Sequence, residues 1–327
     1  MTPPDEAGAL DPAAFPVSSF AGRGFRQAYV RAGEGGVPLL LVHGWPETKR
    51  VWWRVIEPLA AAGFEVIAPD LRGFGDSDVG PDGLHDTVAS SLDLLALLDH
   101  LGHERAVLAG GDFGGAIVQD MAARAPERTE RLVLMNCPLP VLPAMGGLRM
   151  RAEGAHDYFL RQGTDADALA AELHTPEARR HYVATFYTSR FWAHPGAFDA
   201  AAVAFHTEPF ADGAKLRASW GCYEAAFDRS KRSGKAMIAE NPHVRALLLY
   251  GPSDHVIYPD WDRMAALALP DHVGPYLLRD TGHFVPWEAP ATFAGGVASF
   301  CADLLAATRP PAGRAGDAAG PGDPRVP

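Results

Sequence analysis

The feature that most constrains the fold is an alternation. Short, nearly unbroken apolar runs take turns along the chain with longer stretches of helical periodicity. Val37–Val42 (VPLLLV), Val66–Pro69 (VIAP), Val107–Ala109 (VLA), Arg131–Met135 (RLVLM) and Val244–Tyr250 (VRALLLY) are the apolar runs. Such runs suit strands covered on both faces, as in a parallel sheet. Between them, Thr87–Leu101 carries apolar residues at i, i+3, i+4 and i+7, and the helical stretch Gly115–Arg124 follows the third run. Strand–helix–strand repetition predicts an α/β fold with a doubly wound, mostly parallel sheet. The rhythm breaks over residues 138–242, which are helical in pattern, rich in aromatics and without a buried-strand run. The expected division is therefore a core of residues 17–137 and 243–307 with a helical insertion at 138–242. The ends, 1–16 and 308–327, are dominated by Pro, Gly, Ala and charge and are expected to be disordered tails.

The third run leads into Gly110-Gly111-Asp112-Phe113-Gly114-Gly115 and then a helix. Small residues two before and two after a central reactive residue are what a strained strand-to-helix turn needs if strand and helix are to pack. Asp112 is then a nucleophile presented at the carboxyl edge of the sheet; taken alone, the same segment also reads as a Gly-rich turn with Asp112 capping the helix. Three further segments sit just past apolar runs: His43-Gly44-Trp45-Pro46, Gly251-Pro-Ser-Asp254 and Thr281-Gly282-His283-Phe284. Nucleophile, acid and histidine in that order, each past a strand end, form a candidate triad of Asp112, Asp254 and His283. The backbone N–H groups of Trp45 and Phe113 are placed to converge on one oxygen near Asp112, as an oxyanion hole does.

Composition narrows the function classes. A chain of 327 residues, 47% hydrophobic and 21% charged, has material for a large soluble core. Its net charge of −11 disfavours nucleic acid and anionic membranes as partners. The first sixteen residues lack the basic and apolar regions of a secretory signal, and no apolar run reaches the roughly 18–20 residues of a membrane span, so a cytoplasmic protein is expected. Cys137, Cys222 and Cys301 are far apart and odd in number; they are expected to be small buried hydrophobes, not a disulfide framework or a zinc site. No metal or organic cofactor is expected, and the protein is expected to be a monomer or a homodimer.

Over residues 20–306 the chain resembles the α/β-hydrolase superfamily. Within it, HGWPE, APDLRGFGDSD, GGDFGG, GPSDHVI and TGHF appear in the order and spacing of the Asp-nucleophile branch, the epoxide hydrolases and the haloalkane and haloacid dehalogenases. The resemblance implies the α/β-hydrolase fold, with residues 138–242 as a helical cap over the site. A carboxylate is ionised at neutral pH and attacks without help from a base, which suits displacement at an sp³ carbon. The ester so formed on Asp112 is hydrolysed by water activated by His283, oriented by Asp254.

The leaving group stays open between two classes. An opening epoxide needs a proton, which epoxide hydrolases supply from two cap tyrosines; Tyr158 (in HDYFLRQG) and Tyr223 (in SWGCYEAAF) stand about where that pair is found, with Tyr182 and Tyr187 in reserve. A departing halide needs N–H donors. Haloalkane dehalogenases usually carry Trp after the nucleophile, where this chain has Phe113; the Trp45 indole remains a candidate donor. Fluoroacetate dehalogenases carry two arginines just after the nucleophile, and Asp112-Phe113-Gly114-Gly115-Ala116 has neither. His156 lies near their halide-binding histidine, with Asp157 where they have Trp. Epoxide hydrolysis is the leading expectation and dehalogenation the alternative; a non-catalytic small-molecule-binding protein is a third, disfavoured because all three triad residues are present. The pocket is expected to be lined by His43, Trp45, Phe113, His156, Trp192, Trp220, Phe284 and Trp287, suiting a small, mainly apolar, uncharged organic substrate and water.

Overall fold

The computed structural model describes residues 10–150, 157–238, 241 and 243–308. Eight strands form one sheet in the order β1-β2-β4-β3-β5-β6-β7-β8. They are β1 (Val17–Gly22), β2 (Phe25–Ala32), β3 (Val37–Val42), β4 (Phe64–Pro69), β5 (Ala106–Gly111), β6 (Thr129–Met135), β7 (Ala246–Tyr250) and β8 (His272–Leu277). Strands β3 to β8 pair in parallel, while the β1–β2 hairpin closes one edge antiparallel. The central runs are almost wholly buried, with every residue of β4 and β7 included, because helices cover both faces.

Helices α1 (Trp53–Ala62), α2 (Thr87–His100) and α3 (Asp112–Arg124) follow β3, β4 and β5. Between β6 and β7 the described residues form helices and no strand: α4 (Asp157–Thr164), α5 (Ala166–Glu172), α6 (Pro176–Tyr187), α7 (Ala200–Thr207), α8 (Gly213–Ser219) and α9 (Gly221–Phe227). The chain then returns to the sheet with α10 (Trp261–Ala268), α11 (Val285–Glu288), α12 (Pro290–Phe300) and α13 (Ala302–Thr308). No single helix among the described residues is long and apolar enough to cross a membrane; α12 and α13 pass such a test only together, across a bend of 68°.

Strand register positions the site. Val42 pairs with Gly110, Gly111 with Met135, and Met135 with Leu249, so the parallel strands end nearly level. The residues just beyond those ends, Gly44, Asp112, Asn136 and Gly251, are thereby neighbours. Strand order reverses between β3 and β5, and that switch point is where open α/β sheets hold their ligands.

One element carried no sequence signal, and two expectations need correction. The hairpin β1–β2 was not legible as strands: four of the six residues of β1 are exposed and only Phe20 is buried, so it lacks the apolar run that marks buried strands. Residues 10–16 are ordered, because Phe15 packs edge-on against Trp53 at 5.1 Å and the Trp53 indole donates to Asp11 O at 2.9 Å. One ring contact and one hydrogen bond, both to Trp53, outweigh a Pro- and Ala-rich composition there. Helix α3 starts at Asp112, three residues before the expected Gly115.

Candidate active site

Asp112 occupies a left-handed conformation at φ 44°, costly for a non-glycine residue by about 1–3 kcal/mol. The surroundings enforce it. A Cβ at Gly114 would lie 2.1 Å from Val42 O, and one at Gly110 would lie 2.6 Å from the Gly114 carbonyl carbon. Only glycines let β5 and α3 approach β3 this closely, and the turn between them turns the Asp112 carboxylate toward the loop after β3. There the Trp45 N–H donates to Asp112 Oδ1 at 2.8 Å. Phe113 lies in the first turn of α3, where a backbone N–H has no partner within the helix and is available to the same site.

The loop after β3 is held from below. Gly44 N–H donates to Glu47 Oε2 at 2.5 Å, and Glu47 is buried. Burial raises its pKa to about 7, against the lowering effect of nearby His283. His43 corrects an expectation. Its Nε2 accepts from Leu71 N–H at 3.0 Å, which leaves Nδ1 protonated and donating to Gly44 O at 2.9 Å. Both nitrogens are spent on backbone, so His43 shapes the loop and offers no polar atom to a substrate. Burial drives its pKa down to about 4, and the ring is neutral.

His283 reaches Asp112 from the other side, its Nε2 3.4 Å from Oδ2, while its Nδ1 lies 2.8 Å from Asp254 Oδ2. Asp254 is fully buried and accepts four hydrogen bonds: from His283, from Asn136 Nδ2 at 2.8 Å, and from Val256 and Ile257 N–H at 2.7 and 3.3 Å. Burial alone would lower the pKa of His283, but Asp254 and then Asp112 overcome it and hold the imidazole well above its ordinary value.

The helices after β6 bring an aromatic group over this floor. The Trp45 indole is the hub: Tyr158 lies parallel to it at 6.0 Å, and Tyr223, Phe186 and Trp192 meet it edge-on at 5.6, 4.7 and 6.4 Å. Tyr158 and Tyr223 are themselves 6.0 Å apart. Burial, with Tyr158 and Asp112 nearby, raises the Tyr223 phenol well above its ordinary pKa and keeps its proton on. Trp192 lies 4.6 Å from His283 and 6.2 Å from Phe284. The Phe113 ring is partly buried against the same core.

Other candidates are placed elsewhere. The Trp45 indole N–H donates to Ser219 Oγ at 3.1 Å and so is not a free donor for a halide. Tyr187 donates to Pro46 O, and Tyr182 OH accepts from Gln162 Nε2 at 2.9 Å. Trp220 is fully buried with its ring 6.4 Å from Tyr182, outside the ring contacts of Trp45. Trp287 packs in a second aromatic cluster with Phe198, Phe205 and His206, and Arg54 lies 4.0 Å over its ring. His156 lies outside the described residues. All three cysteines are free thiols; Cys137 and Cys301 are buried and Cys222 is partly so. Among the described residues no group of His, Cys, Asp or Glu is arranged to hold a metal ion.

The sequence profile of the alpha/beta hydrolase fold family matches residues 37–290, which span the elbow, the acid and the histidine. The chain belongs to the α/β-hydrolase family. Soluble epoxide hydrolase from Corynebacterium sp. (strain C12) is 28% identical over 270 residues, covering 82% of this chain and 90% of that protein. A 2-hydroxymuconate semialdehyde hydrolase from Pseudomonas sp. (strain CF600) is 29% identical over 286 residues, covering 83% and 89%. Among solved structures, ligand-free epoxide hydrolase CorEH superposes with a TM-score of 0.77 at 25% identity, covering 89% of this chain and 99% of that one.

Within this α/β-hydrolase, sequence reasoning passed over three residues that the geometry makes central: Asn136, Glu47 and Glu288. Asn136 accepts Asp112 N–H at its carbonyl (3.0 Å), and its side chain spans Gly251 and Asp254. The signal available was position: it follows β6 directly, as Asp112 follows β5.

Proposed function

We propose that this α/β-hydrolase opens epoxides to vicinal diols through an ester on Asp112. The two full-length relatives compared above carry names of different activities, so the site must decide. The observation that carries the reading is the phenol pair Tyr158 and Tyr223, set against the indole of the residue whose own N–H holds the nucleophile. Two phenols above a carboxylate match the needs of an opening epoxide, which must be gripped and protonated at oxygen while carbon is attacked from the opposite side.

Asp112 Oδ2 attacks an epoxide carbon, the C–O bond breaks, and the oxygen takes a proton from a tyrosine hydroxyl. The resting imidazolium of His283 restores that tyrosine through solvent and becomes neutral. Esterification of Asp112 removes one of the two negative charges that held the proton on His283, so the imidazole becomes a base when one is required. Nε2 then takes a proton from water, whose oxygen attacks the Asp112 carboxyl carbon. The N–H groups of Trp45 and Phe113 hold the resulting oxyanion, a donor pair of the kind worth about 3–4 kcal/mol per member. Collapse releases the diol and restores carboxylate and imidazolium. The segment from α4 to α9 acts as the cap, and the aromatic wall that its Tyr158, Phe186 and Trp192 form around the Trp45 indole selects a small, apolar, uncharged substrate.

The test is a parallel screen of aryl epoxides and haloalkanes with the wild type and Asp112→Asn. Diol formation from epoxides, abolished by Asp112→Asn, is expected. Halide release without diol formation would transfer the assignment to dehalogenation, and no turnover of either panel would leave a binding protein.

A further inference from the structure

Glu288 takes no part in the steps above, yet its carboxylate touches the backbone on both sides of the base. Oε2 accepts from Gly282 N–H at 2.7 Å and Oε1 from Phe284 N–H at 2.9 Å, the residues flanking His283. Oε2 also accepts from His194 N–H at 2.9 Å. His194 belongs to the strap joining α6 to α7, two residues after Trp192. That strap crosses the base loop in direct contact: His283 N–H donates to Trp192 O at 2.7 Å, and a Cβ at Gly282 would lie 2.4 Å from the same oxygen. Both Glu288 oxygens act as acceptors, which only the carboxylate provides fully.

We propose that Glu288 is a positioning residue for the hydrolytic half-reaction: it fixes the base loop to the cap strap, so that His283 Nε2 and the Trp192 wall hold one register around the ester. The inference rests on the reading that Asp112 is esterified and that His283 activates the water. It distinguishes the two half-reactions because alkylation requires only Asp112 and the phenols, whereas hydrolysis requires Nε2 to aim a water at one carbon. Misplacement of a catalytic group by about 1 Å can cost about 100-fold in rate.

Glu288→Gln keeps the shape but turns an amide N–H toward a backbone N–H, losing at least one of the three bonds. With an aryl epoxide, the variant should accumulate the Asp112 ester, seen as a mass gain in the intact protein. The rate constant for ester hydrolysis should fall roughly 10- to 100-fold. Because the slowed step follows alkylation, kcat and KM should fall together and leave kcat/KM within about threefold of wild type. A residue that only stabilises the fold would lower both half-reactions or neither, without accumulation, and that result overturns the proposal. If Glu288→Gln does not fold, Glu288→Asp, which withdraws the charge by one methylene, is judged by the same signature. His283→Gln run alongside separates the two ideas. An adduct in His283→Gln but none in Glu288→Gln defeats only the role of Glu288; no adduct in either defeats the ester mechanism beneath it.

Discussion

The floor and the roof of this site are built on different physics. On the floor, Asp112, Asn136, Asp254 and His283 stand at the carboxyl ends of β5, β6, β7 and β8, joined by hydrogen bonds of 2.8–3.1 Å whose partners are mostly fully buried. On the roof, Tyr158, Phe186, Trp192 and Tyr223 surround the Trp45 indole through ring contacts of 4.7–6.4 Å. Hydrogen bonds in a dry interior fix positions to tenths of an ångström; ring packing fixes shape and tolerates exchange. The floor therefore sets what reaction occurs, and the roof sets on what. The phenol oxygens are the exception, since in the proposed mechanism they are the roof's share of the chemistry.

That exception gives the largest expected effect. Removing both hydroxyls with Tyr158→Phe/Tyr223→Phe keeps the ring packing and deletes the proposed proton donors. Diol formation should fall by about 10²- to 10⁴-fold, the range of general acid catalysis. Each single variant should fall less, because either phenol can still hold the oxygen. Unchanged alkylation rates in the double variant would make the roof purely a matter of shape and remove these two tyrosines from the mechanism.

A second test bears on the floor's rigidity under acid. His43 is buried and neutral with its pKa lowered to about 4 by burial. In the unfolded chain it takes a proton near its ordinary value of 6.5; the native state does not. Its contribution to stability is therefore complete above pH 6.5 and is lost as pH falls toward 4, to a limit of about 3 kcal/mol. Glu47, raised to about 7, works in the opposite sense over pH 4.5–7, so the comparison must be between proteins. His43→Gln should be less stable than wild type at pH 7.5 by urea unfolding, with that deficit shrinking steadily toward pH 4. A deficit independent of pH would mean that His43 is not held neutral by the loop.

The same division explains what could be read in advance. Buried strands, the glycine-flanked turn and the order of Asp112, Asp254 and His283 are local patterns, because a strained turn and a two-sided strand each demand particular residue types nearby. The β1–β2 hairpin escaped notice because β1 is mostly exposed and β2 interrupts its apolar residues with the polar Arg26, Gln27 and Arg31. His43 was placed in the pocket because a histidine beside the nucleophile loop carries no mark of which atoms its nitrogens meet; Leu71, 28 positions on, decides that. Trp220 and Trp287 show the same limit on the roof, where aromatic content is visible but the assignment of a ring to one cluster or another is tertiary. Tyr158 and Tyr223 came from resemblance and not from periodicity, and it is the indole of Trp45 that brings them together in space.

Asn136 is the place where floor geometry can be loosened without touching a group that handles protons. Its carbonyl holds the Asp112 N–H at 3.0 Å, its Nδ2 donates to Asp254 Oδ2 at 2.8 Å and to Gly251 O at 3.1 Å, and its Oδ1 accepts from Gly251 N–H at 2.9 Å. Those partners lie 115 and 118 positions away, so one side chain ties the nucleophile's strand to the acid's loop. Asn136→Leu keeps the branched outline and the backbone carbonyl but removes all three side-chain bonds, leaving Asp254 Oδ2 to His283 alone. Outer partners that orient a working histidine are typically worth about 10- to 100-fold in activity, and the loss here should fall in that range. It should fall mainly on ester hydrolysis, because Asp112 retains its backbone anchor while the acid that orients His283 does not. Equal losses in alkylation and hydrolysis would instead show that floor and elbow move as one body, and the separation of nucleophile from base on which the comparison rests would have to be abandoned.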